Sequence, residues 1–188
     1  MKTIELRSLG DVDPVLLEDL GPKLQETFEV PVRIGSNRIP IDRFYDRQRG
    51  QYNSTEILRY LDDSGHSTHR KWSPRMDDGV RFVGITGQDL FIPILTYVFG
   101  EAMLGGAVAV VSYHRFRNEL YGLPSDQRLL QERLQKVAIH ELGHSLGLVH
   151  CPLQYCVMYA ASYVEDLDLK GHTFCPFCRS AIKKPRHH

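Results

Sequence analysis

The chain has 188 residues, 42% of them hydrophobic and 24% charged, which is enough for one buried core and ordinary for a globular fold. Lysine plus arginine and aspartate plus glutamate number 23 each, so bulk charge argues against a nucleic acid, a membrane surface or an acidic partner. No stretch reaches the ~18 apolar residues of a membrane span, and the charged start Met1-Lys2-Thr3-Ile4-Glu5-Leu6-Arg7 lacks the apolar run of a signal peptide, which predicts a cytoplasmic protein.

Thr3–Leu9 alternates and predicts a strand. Asp13-Pro14 opens a helix, with proline early in its first turn. Leu16, Leu17, Leu20, Leu24 and Phe28 then form its apolar stripe, with Gly21-Pro22 weakening its middle. A second strand is expected across Pro31–Ile41, and Phe44–Gly50 is polar and loop-like. Asn53-Ser54-Thr55-Glu56 resembles a capping box ahead of a helix carrying Ile57, Leu58 and Leu61. Asp62–Gly79 reads as a long polar loop holding His66, His69, Trp72 and Pro74. Two histidines fall short of the three or four ligands a stable zinc site takes, so that pair is read as solvated.

Val80–Leu90 predicts a buried strand, and Pro93 keeps the apolar run Phe91–Phe99 out of a central strand. A turn is expected at Phe99–Ala102, then a strand over Gly105–Tyr113 that begins with small residues. Pro124-Ser125-Asp126 starts a long helix, with Ser125 as its cap and Asp126 suited to the positive helix end. Leu129, Leu130, Leu134, Val137, Ala138 and Leu142 give that helix a buried side. There is no internal repeat and no low-complexity segment, and the basic tail Lys183–His188 reads as a solvated end.

The long helix carries the chemistry. His140-Glu141-Leu142-Gly143-His144-Ser145-Leu146-Gly147-Leu148-Val149-His150 is H-E-x-x-H-x-x-G-x-x-H. Residues four apart on a helix lie about 40° apart around the axis and roughly 6 Å apart along it. His140 and His144 can therefore reach one Zn²⁺, with Glu141 beside the metal and not on it. Gly147 tolerates the backbone needed to leave the helix, and the turn brings His150 round as a third ligand. Three protein ligands leave a fourth position for water, the pattern of a catalytic zinc. Such a zinc lowers the pKa of its water, and Glu141 stands ready as general base for hydrolysis of a peptide bond.

Cys151, Cys156, Cys175 and Cys178 follow as two close pairs separated by eighteen residues. That spacing suits tetrahedral thiolate zinc; a disulfide or a redox pair at Cys175/Cys178 are the other readings open to them. Metal-binding knuckles also occur in nucleic-acid binders, but only Lys170 and Arg179 lie near these cysteines.

The histidine motif followed by Met158 resembles the metzincin clan. The added C-x4-C-x-M and the later C-x-x-C, within residues 140–178, resemble the archaemetzincin family of zinc metallopeptidases. The resemblance implies an α+β metzincin-like fold: a twisted mixed β-sheet, backing helices, an active-site helix and a small C-terminal zinc-bound part. One catalytic domain is expected over 1–188, with an N-terminal part to about residue 150 and a C-terminal part over about 151–188. It implies a second, structural zinc on Cys151, Cys156, Cys175 and Cys178, and a floor under the catalytic zinc from Met158. It implies that Tyr159 or Tyr163 stabilises the oxyanion, though either tyrosine also reads as packing. It also implies an edge strand that pairs with extended substrate, for which Gly105, Gly106, Ala107, Val108 and Ala109 are the candidates; an ordinary core strand is the alternative.

The expected protein is thus a monomeric, cytoplasmic zinc metallopeptidase with two Zn²⁺, acting on peptides or proteins, with no nucleic-acid or membrane partner. Endopeptidase and aminopeptidase action are both open. The rival from another class is a zinc-containing peptide-binding or structural protein with little turnover.

Overall fold

A computed structural model describes residues 1–66 and 79–183. In chain order the elements are β1 (Thr3–Ser8), α1 (Pro14–Phe28), β2 (Val32–Ile34), β3 (Tyr45–Asp46), β4 (Gln51–Asn53), α2 (Ser54–His66), β5 (Val80–Thr86), β6 (Leu90–Phe91), β7 (Gly100–Ala102), β8 (Val108–Ser112), α3 (Gln127–Ser145), α4 (Val164–Leu169) and α5 (Pro176–Lys183). The main sheet has the order β2-β1-β5-β8-β7. Its first four strands are parallel, and β7 runs antiparallel to β8. A small ribbon of β3, β4 and β6 lies apart from it. This is the mixed sheet with helices that the sequence led us to expect.

The alternation of each strand feeds two cores, one on each face of the main sheet. Ile4, Leu6, Val83, Ile85 and Val111 bury against α1 and α3. Leu9, Phe82, Val108 and Val110 bury on the other side with Ile57, Leu58 and Leu61 of α2. Each such side chain contributes about 1.5–3 kcal/mol on leaving water, so the sheet is held by burial on both its faces. Met158, Val164, Leu167 and Phe174 belong to the α1–α3 core, so the C-terminal segment packs into the same interior as the helix that carries the motif.

Several expectations need correction. The second strand is only Val32–Ile34; beyond it the chain returns as a lone bridge of Ile39 to Leu9. Asp126, not Ser125, caps α3, accepting from the Leu129 N–H at 2.9 Å. α1 runs unbroken through Gly21 and Pro22, and Glu29 ends it in the left-handed conformation at φ 57°. The expected loop at Asp62 begins late, because α2 continues to His66. His69, Trp72, Pro74 and the tail from Lys184 lie outside the described residues.

The largest correction concerns the substrate strand. Val108 and Ala109 lie in β8, which is interior, flanked by β5 and β7. Gly105 and Gly106 form the turn of a β7–β8 hairpin: Gly105 has φ 71°, and the Gly106 N–H bonds back to Met103 O at 2.8 Å. The outer strand is β7, inside a segment the sequence reads as a turn. The Gly-Gly pair marks the hairpin, and the strand precedes it.

Candidate active site

α3 places His140 and His144 one turn apart, with ring centroids 4.6 Å apart. The helix ends at Leu146, and Gly147 turns the chain at φ 79°. This carries His150 round until its ring lies 5.3 Å from His140 and 5.0 Å from His144. One ligand nitrogen from each histidine falls within 4.8 Å of the other two.

The orientation of two of these rings is set by backbone carbonyls. His140 Nδ1 donates to Val157 O at 2.9 Å, and His144 Nδ1 donates to Leu148 O at 2.8 Å. With a hydrogen on each Nδ1, the lone pair of each ring sits on Nε2. The two Nε2 atoms face each other at 3.0 Å. Two lone pairs that close repel one another, and a shared cation relieves the repulsion. Burial, followed by Lys170 for His140 and His150 and by His150 and Lys170 for His144, lowers all three pKa values and keeps the rings neutral. Neutral nitrogen donors converging at this spacing fit zinc.

Glu141 is 6% exposed. Burial pushes its carboxyl up to about 8, with Glu101 adding to the shift and Lys170 opposing it. β7 closes over it: a Cβ at Gly100 would meet Glu141 Cγ and Val110 O at 2.8 Å. Met158 is fully buried and lies against Gly143, where a Cβ would meet Met158 Cε at 3.1 Å and run into its sulfur. The methionine therefore lies under the histidine helix.

Above the histidines runs a cleft of about 670 Å³. One wall holds Tyr97 to Ala102 and Leu104; the other holds Val149, His150 and Ala160 to Tyr163. Tyr163 lines it and is 66% exposed. Tyr159 is half-buried and does not line it.

Lys170 is the site residue the sequence concealed. It is 3% exposed, donates to Tyr159 O at 3.1 Å and lies 3.3 Å from His140 Nδ1. Burial brings its ammonium down to about 8, against the pull of Glu141. No motif or periodicity marks it; a lysine one residue past a short helix reads as surface.

The four cysteines are free, and their sulfurs all lie within 4.8 Å of one another. Cys151 and Cys175 are 3.9 Å apart, far beyond the ~2.05 Å of a disulfide. Burial opposes ionisation of Cys175, but the Cys178 N–H and the neighbouring thiols bring it down to about 7. Convergence of four thiols, one inclined to ionise, fits a thiolate-bound metal. The cluster adjoins the histidines through the backbone: Cys156, Val157 and Met158 are consecutive, and Val157 O orients His140.

A helix that offers two neutral imidazoles to one point, with a third beyond its end and a buried carboxylate alongside, is the apparatus of a zinc-dependent metallopeptidase. Comparison with known proteins makes the class specific. The chain belongs to peptidase family M54, whose family model matches residues 29–184. It is 39% identical to the archaemetzincin of Methanocaldococcus jannaschii over 95% of this chain and 91% of that one. The crystal structure of archaemetzincin from Archaeoglobus fulgidus, complexed with malonate, superposes with a TM-score of 0.78 at 34% identity, covering 95% of this chain and 99% of that one. A zinc-dependent peptidase from Methanocorpusculum labreanum superposes with a TM-score of 0.82 at 30% identity, covering 96% and 100%. Among the described residues no helix is long and apolar enough to cross a membrane.

Proposed function

We propose that His140, His144 and His150 hold the catalytic zinc of this metallopeptidase, that Glu141 is its general base, and that Cys151, Cys156, Cys175 and Cys178 hold a second, structural zinc. The observation that carries the first assignment is the pair of Nδ1–carbonyl bonds, which leaves both Nε2 lone pairs aimed at one point. Bound there, zinc supplies Lewis acidity, bringing water towards a pKa of ~7 and polarising a carbonyl.

The chain's own residues do the rest. Glu141, whose ionised form zinc on the neighbouring histidines would favour, takes the proton of the attacking water and hands it to the departing amine. Its burial under Gly100 holds the carboxylate in place and keeps bulk water away. β7 offers its outer edge to an extended peptide backbone, replacing the strand expected from the sequence. Tyr163, which lines the cleft, is the candidate donor to the oxyanion, and Tyr159, which does not line it, is read as packing. Met158 supplies an apolar floor. The C-terminal part, from about Cys151, depends on the thiolate metal for its local order.

The remaining assignments are a monomer in the cytoplasm with peptide or protein substrates and no nucleic-acid or membrane partner. Balanced charge supports the absence of a nucleic-acid or membrane partner.

The test is metal analysis beside turnover. Protein purified without chelator should carry two zinc ions per chain, and Glu141→Ala should keep both while losing hydrolysis. A single zinc that survives mutation of all four cysteines removes the second site. Wild type that binds peptides and cleaves no member of a broad library would favour the binding-protein reading.

A further inference from the structure

Two walls of the cleft are tied together at one end. Tyr97 Oη donates to Ser162 O at 2.7 Å, joining the strand-side wall to the segment ahead of α4. Both partners are braced. The Tyr97 ring lies under the Arg115 guanidinium at 3.9 Å and beside Phe99 at 5.5 Å. Arg115 is itself fixed by two bonds of 2.7 Å to Asp89. Arg49 and Gln51 hold the preceding carbonyls, Leu95 O at 2.8 Å and Thr96 O at 2.9 Å. On the other side, Asp166 accepts from the N–H groups of Ser162 and Tyr163 at 2.8 and 2.9 Å.

The tie sits at a definite place along the cleft. The chain passes from Tyr97, over Glu141 at Gly100, to Leu104, beyond which the Gly105 N–H bonds His144 O at 2.9 Å. Leu104 and Val149 stand exposed on the two walls there, at 64% and 67%. A peptide pairing antiparallel with β7, the more stable pairing, runs from the Leu104 end towards the Tyr97 end. Its C-terminal side, the leaving group, then meets the tie.

We propose that the Tyr97–Ser162 hydrogen bond is a length gate on the leaving-group side, so that this peptidase favours substrates with a short C-terminal segment beyond the cleaved bond. The inference rests on the histidine zinc site and on β7 as the substrate strand. A longer substrate must break the tie, and the net worth of one hydrogen bond sets the penalty at about fivefold in affinity.

Peptide hydroxamates test it without needing turnover, because the hydroxamate on the metal fixes the register. One series carries the hydroxamate at its N-terminal end and grows towards the leaving-group side; the other carries it at its C-terminal end and grows the opposite way. Dissociation constants are measured on zinc-loaded wild type and on Tyr97→Phe, which keeps the ring under Arg115 and removes only the hydroxyl. The expected result is a drop of about fivefold at one length in the first series with wild type, absent in Tyr97→Phe. The second series should show no step in either protein. A wild-type first series without a step, a step that persists in Tyr97→Phe, or a step confined to the second series would each overturn the gate. Failure of every hydroxamate to bind a zinc-loaded protein would instead remove the histidine site, and the gate with it.

Discussion

Glu141 sits one residue from a metal ligand and does separate work. Glu141→Ala leaves His140, His144 and His150 intact, so zinc content should hold while hydrolysis falls about 10²–10⁴-fold. Loss of zinc in that variant would make Glu141 a ligand and show the coordination set to be wrong. Gly100 tests the same carboxylate from above. A Cβ there would meet Glu141 Cγ at 2.8 Å and Val110 O at the same distance. Backbone does not yield readily, so Glu141 must. A misplacement of about 1 Å costs roughly 100-fold, and Gly100→Ala should lose about that in kcat with zinc retained. Unchanged kcat would mean the carboxylate has room to move. At this scale the sequence was legible where a motif spans consecutive residues, as from His140 to His150. It was silent on Lys170 and Gly100, which reach the site through the fold from α4 and β7.

At the scale of elements, α3 must hold its ligands still, and Arg133 is how it is anchored at mid-length. Arg133 is 5% exposed; it makes bonds of 2.8 and 2.7 Å to Asp168, 2.7 Å to Phe116 O and 2.9 Å to Asn118. One guanidinium thus joins α3 to the start of the loop before it and to α4. Arg133→Met keeps the volume and strands the Phe116 carbonyl, while Asp168, 35% exposed, recovers water. We expect a loss of about 2 kcal/mol, or roughly 4–8 °C in melting temperature for a chain of this size. A melting temperature unchanged within 1 °C would show that the network is not needed for stability. The strands show where sequence reading reached its limit. The run Val108–Ser112 was recognisable as a strand, but a strand's neighbours are decided by topology. Glycines at 105 and 106 mark close backbone approach equally well as strand start or hairpin turn. Only the antiparallel pairing of Gly100 with Val111 distinguishes the two.

For the whole molecule, the four-cysteine cluster proposed as a zinc site adds to the apolar packing of Val164, Leu167 and Phe174 around α4 and α5, helices too short to stand alone. Structural zinc in small modules contributes on the order of 10 kcal/mol to folding. Cys175→Ser should therefore lower the melting temperature well beyond an ordinary point substitution and lose the order of the C-terminal segment before it touches the chemistry. An unchanged melting temperature with lost hydrolysis would make the cysteines catalytic or redox-active. Chelation should strip the histidine site first, because three protein ligands leave it open and four close the other; release in the reverse order would contradict both assignments.

Cys156, Val157 and Met158 are three successive residues with three duties: a thiol of the cluster, the carbonyl that turns His140, and the floor beneath the motif helix. Metal at one end that restrains this tripeptide would lower the entropy lost on binding at the other. Such an effect is reciprocal by thermodynamic necessity. Whatever factor a filled thiol cluster adds to the affinity of the imidazoles, filled imidazoles add to the thiols. Under scarce metal fewer chains should then be singly loaded than two independent sites of unequal affinity would give. Native mass spectrometry during a sub-stoichiometric zinc titration reads that distribution directly, and populations equal to the product of the two sites' separate occupancies would show that the shared tripeptide transmits nothing.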